Sequence, residues 1–147
     1  MNSLEDIPKV VGEVLELVVE SVGEGENGGS AAVLALHGDL GAGKTTFTQE
    51  LARQLGVADT VVSPTFVVMK GYETTHEYFT QLIHIDAYRI EAVDEMRVMH
   101  FGEILGQNNT IITIEWAEKI AELLPTHTLH FDFTATEENH LITLRDA

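Results

Sequence analysis

Two runs of the chain are joined by a segment that leaves little freedom for folding. Ala32-Val33-Leu34-Ala35-Leu36 is apolar and of strand length, and Lys44 to Leu55 carries Phe47, Leu51, Ala52 and Leu55 on one helical stripe. Between them, Gly38-Asp39-Leu40-Gly41-Ala42-Gly43-Lys44-Thr45 follows the P-loop pattern of glycine, four residues, glycine, lysine and a hydroxyl residue. A buried strand must therefore turn tightly into a helix. The glycines let consecutive N–H groups converge on one anion without an obstructing Cβ. Lys44, on a solvent-facing loop, is placed to reach the outer phosphates of a nucleoside triphosphate. The Thr45 hydroxyl is placed to ligate Mg²⁺, and the helix directs its positive end at the same charge. Gly56 supplies the helix stop. The bland alternative is a glycine-rich turn with a solvated lysine, and the strand, loop and helix order argues against it.

The 147 residues suit one domain with a core of its own. No cysteine is present, which excludes a disulfide framework, thiol catalysis and cysteine-ligated metal centres. The start of the chain has neither a basic region nor a signal-length apolar run, and no apolar stretch approaches membrane-spanning length, so a cytoplasmic location is expected. Asp and Glu total 24 against 8 Lys and Arg, a net charge of −16. Such a surface repels nucleic acid and anionic membrane, so contacts with nucleic acid would fall to another subunit. General solubility, or adaptation to a saline cytoplasm, explains the charge equally well.

An amphipathic helix is expected over residues 7 to 22, followed by the acidic connector Gly23 to Ser30. Later strands are expected at Thr65 to Lys70, Leu82 to Asp86, Ile111 to Glu115, Thr128 to Phe133 and His140 to Arg145. Helices are expected over Ala92 to Leu105 and around Trp116 to Leu124. This alternation predicts an α/β fold of three layers, P-loop NTPase-like, with a mainly parallel central sheet and antiparallel C-terminal strands. The division is one domain: residues 1–32 form the N-terminal helix and linker, and 33–147 the nucleotide-binding core.

Ligands of open α/β sheets gather at the carboxyl ends of strands. Two apolar strands end there in acids, Leu82-Ile83-His84-Ile85-Asp86 and Ile111-Ile112-Thr113-Ile114-Glu115. Either acid suits the Mg²⁺ shell of a P-loop, which needs only one hydroxyl, one or two carboxylates, phosphate oxygens and water. Either also suits orientation of an attacking water, or merely a cap at a strand end. His84 shares a strand face with Asp86 and reads as a packed or locally bonded side chain rather than a catalytic one. Trp116 reads equally as core packing or an interface anchor.

Gly38 to Thr46, Ser63-Pro64-Thr65-Phe66, His84-Ile85-Asp86-Ala87-Tyr88-Arg89 and Ile114-Glu115-Trp116 occur in the order and approximate spacing of the TsaE family, which the chain resembles from Val33 to about Pro125. The family consists of small P-loop ATPases that serve the synthesis of N6-threonylcarbamoyladenosine in tRNA. The resemblance implies a phosphate loop made of Gly38, Asp39, Leu40, Gly41, Ala42, Gly43, Lys44, Thr45 and Thr46. It further implies Thr45 and Glu115 as Mg²⁺ ligands, and Lys44, Asp86 and Glu115 as the catalytic set. Asp86 would act through the metal's water or on the nucleophile, and Ser63-Pro64-Thr65 would form a switch-like loop. Arg89 would stabilise phosphate charge or pair with acids at a subunit contact. The implied partners are TsaB-like and TsaD-like proteins, with tRNA contacted mainly through them.

Three functions then compete. The first is a partner-activated ATPase of tRNA modification. The second is a small-molecule kinase, which surrounds the transferred phosphoryl group with a basic lid that four arginines do not readily build. The third is a nucleotide-controlled binding module with negligible turnover. The absence of an Asn-Lys-x-Asp guanine signature agrees with ATP as the nucleotide.

Overall fold

The computed structural model describes residues 2–3, 7–23, 31–38, 43–58, 69–92, 94–98, 100–135 and 140–145. Among the described residues, seven strands form one sheet: β1 (Asn2–Ser3), β2 (Ala32–Gly38), β3 (Met69–Glu73), β4 (Gln81–Asp86), β5 (Thr110–Glu115), β6 (Leu129–Ala135) and β7 (His140–Leu144). Their order is β1-β7-β6-β2-β5-β4-β3. The central strands β6, β2, β5 and β4 run parallel, while β6 and β7 pair antiparallel as the expected C-terminal strands. β3 is a further antiparallel strand, on the opposite edge. Of the strand expected at Thr65 to Lys70, residues 65–68 lie outside the described residues, and the observed strand continues to Glu73.

Alternation along the strands divides the core into two layers. On one side Leu34, Leu36, Leu82, Ile111, Phe131 and Phe133 pack under helices α1 (Ile7–Gly23) and α2 (Lys44–Leu55). On the other, Val33, Ala35, Ile83, Ile85, Ile112 and Ile114 pack under α3 (Asp94–Val98), α4 (Phe101–Leu105) and the 3₁₀ segment Ala117–Leu123. Helix α1 buries Val10, Val11, Val14 and Val18. Phe47 of α2, fully buried, meets the rings of Phe131 and Phe133 at 6.0 and 5.6 Å. Truncating such an aromatic costs about 3–5 kcal/mol, so this contact fixes where α2 begins.

Helix α2 has the expected limits. It ends in a Schellman turn, in which Gly56 at φ 82° donates to Arg53 O and Val57 donates to Ala52 O. The expected helix over Ala92 to Leu105 is instead broken into α3 and α4 by His100, which is left-handed at φ 60°. Met96 and Phe101 explain the break, because five residues along one helix would point them about 140° apart. The turn at His100 brings both into the same core layer. The helix expected around Trp116 to Leu124 is likewise replaced by 3₁₀ turns with a non-helical Ile120, and Trp116 is itself left-handed.

Candidate functional site

The carboxyl ends of β2, β4 and β5 meet the N-terminus of α2, and the residues singled out from the sequence collect there. β2 ends at Gly38, whose φ of 139° and tight packing exclude a side chain: a Cβ would lie 2.3 Å from the carbonyl oxygen of Phe133. Gly43, left-handed at φ 99°, precedes α2 without a side-chain cap, and the first turn carries no acid. Its leading N–H groups therefore present positive charge to the site. Asp39, Leu40, Gly41 and Ala42 lie outside the described residues, as does Ser63 to Phe66. Thr46 occupies an exposed position in the first turn.

Lys44, expected on a solvent-facing loop, is buried, only 3% exposed, which counts against the alternative of a merely solvated lysine. Its ammonium donates to Gly38 O at 2.7 Å and stands 4.4 Å above the Trp116 ring, which the left-handed residue turns away from the end of β5. Among the described residues its direct contacts are this one carbonyl and this π face.

Alternation places Thr113 and Glu115 of β5, with His84 and Asp86 of β4, on the α2 side of the sheet. Glu115 is buried and receives two side chains. The Thr45 hydroxyl donates to its Oε2 at 3.1 Å, with Oε1 at 3.4 Å, and His84 Nε2 bonds Oε2 at 2.8 Å. Thr45 and Glu115, the pair that the family resemblance named together, are thus in contact. The role of His84 against Glu115 was missed. The signal was available only in combination, because His84 is two residues before Asp86 and β4 and β5 must be neighbours for the two acids to meet.

Asp86 is the register partner of Glu115. It is half-buried, and burial, reinforced by the Glu115 charge, pushes its carboxyl above the usual range, although the Tyr88 N–H donated to Oδ1 at 3.0 Å opposes this. The same bond caps the 3₁₀ turn Ala87–Arg89, so the structural and the chemical readings of Asp86 hold together. Tyr88 is exposed, 5.1 Å from the Trp116 ring, and Lys119 donates to its carbonyl. The side chain of Arg89 lies outside the described residues.

The model of the family described as "Threonylcarbamoyl adenosine biosynthesis protein TsaE" matches residues 7–143. The chain belongs to the TsaE family. It is 44% identical over 98 residues to the "tRNA threonylcarbamoyladenosine biosynthesis protein TsaE" of Bacillus subtilis, covering 66% of this chain and 58% of that one. The protein of the same name from Aquifex aeolicus is 36% identical over 121 residues, 81% of this chain and 75% of that one. The match with the Rickettsia felis counterpart, 36% identical, covers 73% of this chain and 60% of that one. This TsaE chain thus aligns with less than two thirds of the length of some relatives. The crystal structure of Bacillus subtilis YdiB superposes with a TM-score of 0.54 at 34% identity, covering 78% of this chain and 68% of that one.

The donors of this TsaE site are a hydroxyl and carboxylate oxygens, the hard ligands that Mg²⁺ prefers. Among the described residues no cluster of three His, Cys, Asp or Glu is arranged to hold a metal unaided. No helix among the described residues is long and apolar enough to cross a membrane.

Proposed function

We propose that this chain is a Mg²⁺-dependent ATPase that supports threonylcarbamoyl modification of tRNA adenosine, acting with TsaB-like and TsaD-like proteins in the cytoplasm as a single nucleotide-binding domain. The observation that carries the reading is the meeting of Thr45, Glu115 and buried Lys44 with Gly38 at one helix N-terminus. Thr45 and Glu115 would hold Mg²⁺, which supplies neutralising charge for the outer phosphates. Lys44, which already makes a charge-assisted bond to one carbonyl, can turn to a phosphate oxygen, where donor and acceptor are both charged. The leading N–H groups of α2 receive the same anion. Asp86, a carboxylate made more basic by its burial, is suited to orient a water and accept its proton.

A kinase reading is weaker for a structural reason. Three of the four arginines are engaged in ion pairs, Arg53 with Glu50, Arg97 with Asp94 and Arg145 with Asp132. Among the described side chains no arginine is left unpaired to serve the phosphoryl group in cis. The same shortage supports dependence on partners that order the site and add positive charge.

The test is ATP hydrolysis by the chain alone and with TsaB-type and TsaD-type proteins, titrated with Mg²⁺, in the presence and absence of tRNA. Turnover should be slow alone, faster in the complex and dependent on Mg²⁺. Equal rates alone and in the complex would overturn partner dependence, and no ATP binding at any Mg²⁺ concentration would overturn the whole reading.

A further inference from the structure

We propose that His84 is the positioning residue of the metal site, holding Glu115 by one oxygen so that the carboxylate faces the ion in a fixed orientation. The inference rests on the Mg·ATP reading above and adds a member to that site. His84 is completely buried, and Nε2 lies 2.8 Å from Glu115 Oε2. A carboxylate can only accept, so the proton sits on Nε2. Nδ1 has no hydrogen-bond partner among the described residues, which agrees with this tautomer, because a bare acceptor is less costly there than a bare N–H.

The arrangement is directional. His84 engages Oε2 alone, whereas Oε1 has only the long 3.4 Å contact to Thr45 among the described residues. A glutamate carboxylate on a strand end rotates about three side-chain bonds, and a bond from a ring packed in the next strand restricts that rotation. Thr113, the register partner of His84 on the same face, carries a buried hydroxyl that is also unpartnered. Donor and bare acceptor therefore stand on neighbouring positions. An apolar residue would pack more cheaply at 84, since the surrounding layer is Leu82, Ile111 and Leu34. The polar ring has its use in Glu115.

ATP affinity is measured by calorimetry with Mg²⁺ and with EDTA for the wild type, His84→Leu and His84→Gln, alongside thermal unfolding. The Gln amide nitrogen lies as many bonds from Cβ as Nε2 does and can donate to the same oxygen. In EDTA the three should agree within about twofold. With Mg²⁺, His84→Leu should lose roughly 10-fold or more of the affinity gained from the metal, the range for loss of an outer-shell partner, and His84→Gln should recover most of it. A folded His84→Leu with the full Mg²⁺ gain, or a folded His84→Gln as defective as His84→Leu, overturns the proposal. Should His84→Leu fail to fold, long-range ¹H–¹⁵N spectra of the wild type decide. A proton on Nε2 that persists, with resonances shifting when Mg·ATP is added, supports the role. A proton on Nδ1, or resonances indifferent to Mg·ATP, overturns it. If the wild type itself gains no affinity from Mg²⁺, the Mg·ATP reading fails, while the tautomer still reports whether His84 holds Glu115.

Discussion

Gly38→Ala tests whether the turn after β2 is as tightly dictated as its geometry implies. The backbone there sits at φ 139°, and the new Cβ would be 2.3 Å from Phe133 O and 3.1 Å from Phe133 Cβ. Side chains seldom adopt such a φ, and forcing one into a Gly-only region costs about 1–3 kcal/mol. The opposing atom is backbone of β6, paired with Gly38 at the end of the β2–β6 ladder, so relief requires strand movement, an overpacking cost of about 1–3 kcal/mol. Together these give about 4 kcal/mol, or a fall in Tm of about 8–16 °C for a domain of this size. The assay is thermal unfolding by circular dichroism without nucleotide. Gly102→Ala is the control, since its Cβ meets nothing within 4 Å and its place in α4 should make the change neutral or slightly stabilising. Because Gly38 O is also the acceptor for Lys44, ATP affinity should fall with the melting temperature. A Gly38→Ala protein that melts within about 2 °C of wild type would refute the argument from backbone and contact, since about 1 kcal/mol already moves Tm by that much.

Thr45→Ala and Glu115→Ala should each weaken Mg²⁺-dependent ATP binding by about tenfold or more, whereas Asp86→Asn should lower single-turnover hydrolysis far more than affinity; equal losses at Asp86 would reject the division of roles. Asp86 has a raised carboxyl pKa, so the folded state is penalised as pH climbs from the ordinary Asp range through that raised value. Asp86→Asn should accordingly melt higher than wild type at pH 7 without nucleotide, with the gap closing below about pH 4, and a gap that grows on acidification would contradict the cause assigned. Trp116, the only tryptophan, has the Lys44 ammonium 4.4 Å from its ring, so ATP that draws Lys44 away should change its emission in proportion to binding. Unchanged emission at saturating Mg·ATP would mean that Lys44 stays over the ring.

Legibility followed punctuation. β2 and α2 are bracketed by Gly38, Gly43 and Gly56, each in a positive-φ conformation, and the sequence-based limits of α2 coincide with those observed. The apolar runs ending in Asp86 and Glu115 were readable because a parallel strand buried on both faces tolerates little else until its end. Where tertiary contacts override local preference, reading failed. His100 and Trp116 adopt left-handed turns that composition does not favour, and each re-aims the chain to satisfy the core or the site. Burial of Lys44 was equally hidden, because the residues that cover it, Gly38 and Trp116, are remote or ambiguous in sequence. The contact of His84 with Glu115 spans 31 residues and needs the strand order β5-β4 to exist at all.

The two faces of the sheet divide stability from chemistry. Under α3 and α4 the layer of Ile83, Ile85, Ile112 and Ile114 is apolar up to the strand ends, whereas on the α2 side the same strands carry His84, Thr113 and Glu115 in buried positions. Buried atoms without a partner among the described residues are Tyr72 Oη, His84 Nδ1 and Thr113 Oγ1, and all three belong to that second face. Each such atom costs about 1–3 kcal/mol, a burden that an arrangement chosen for stability alone would replace with leucine or valine. It is tolerable here because Phe47, Leu51 and Leu55 of α2 are fully buried against β2 and β6 only a few residues beyond the site. The hydrophobic half of α2 thus holds its polar end in place. A helix pinned by three large apolar side chains keeps its N-terminus, and with it Thr45 and Lys44, at a fixed distance from Glu115. That is the preorganisation that the proposed binding of a phosphate and its metal would require.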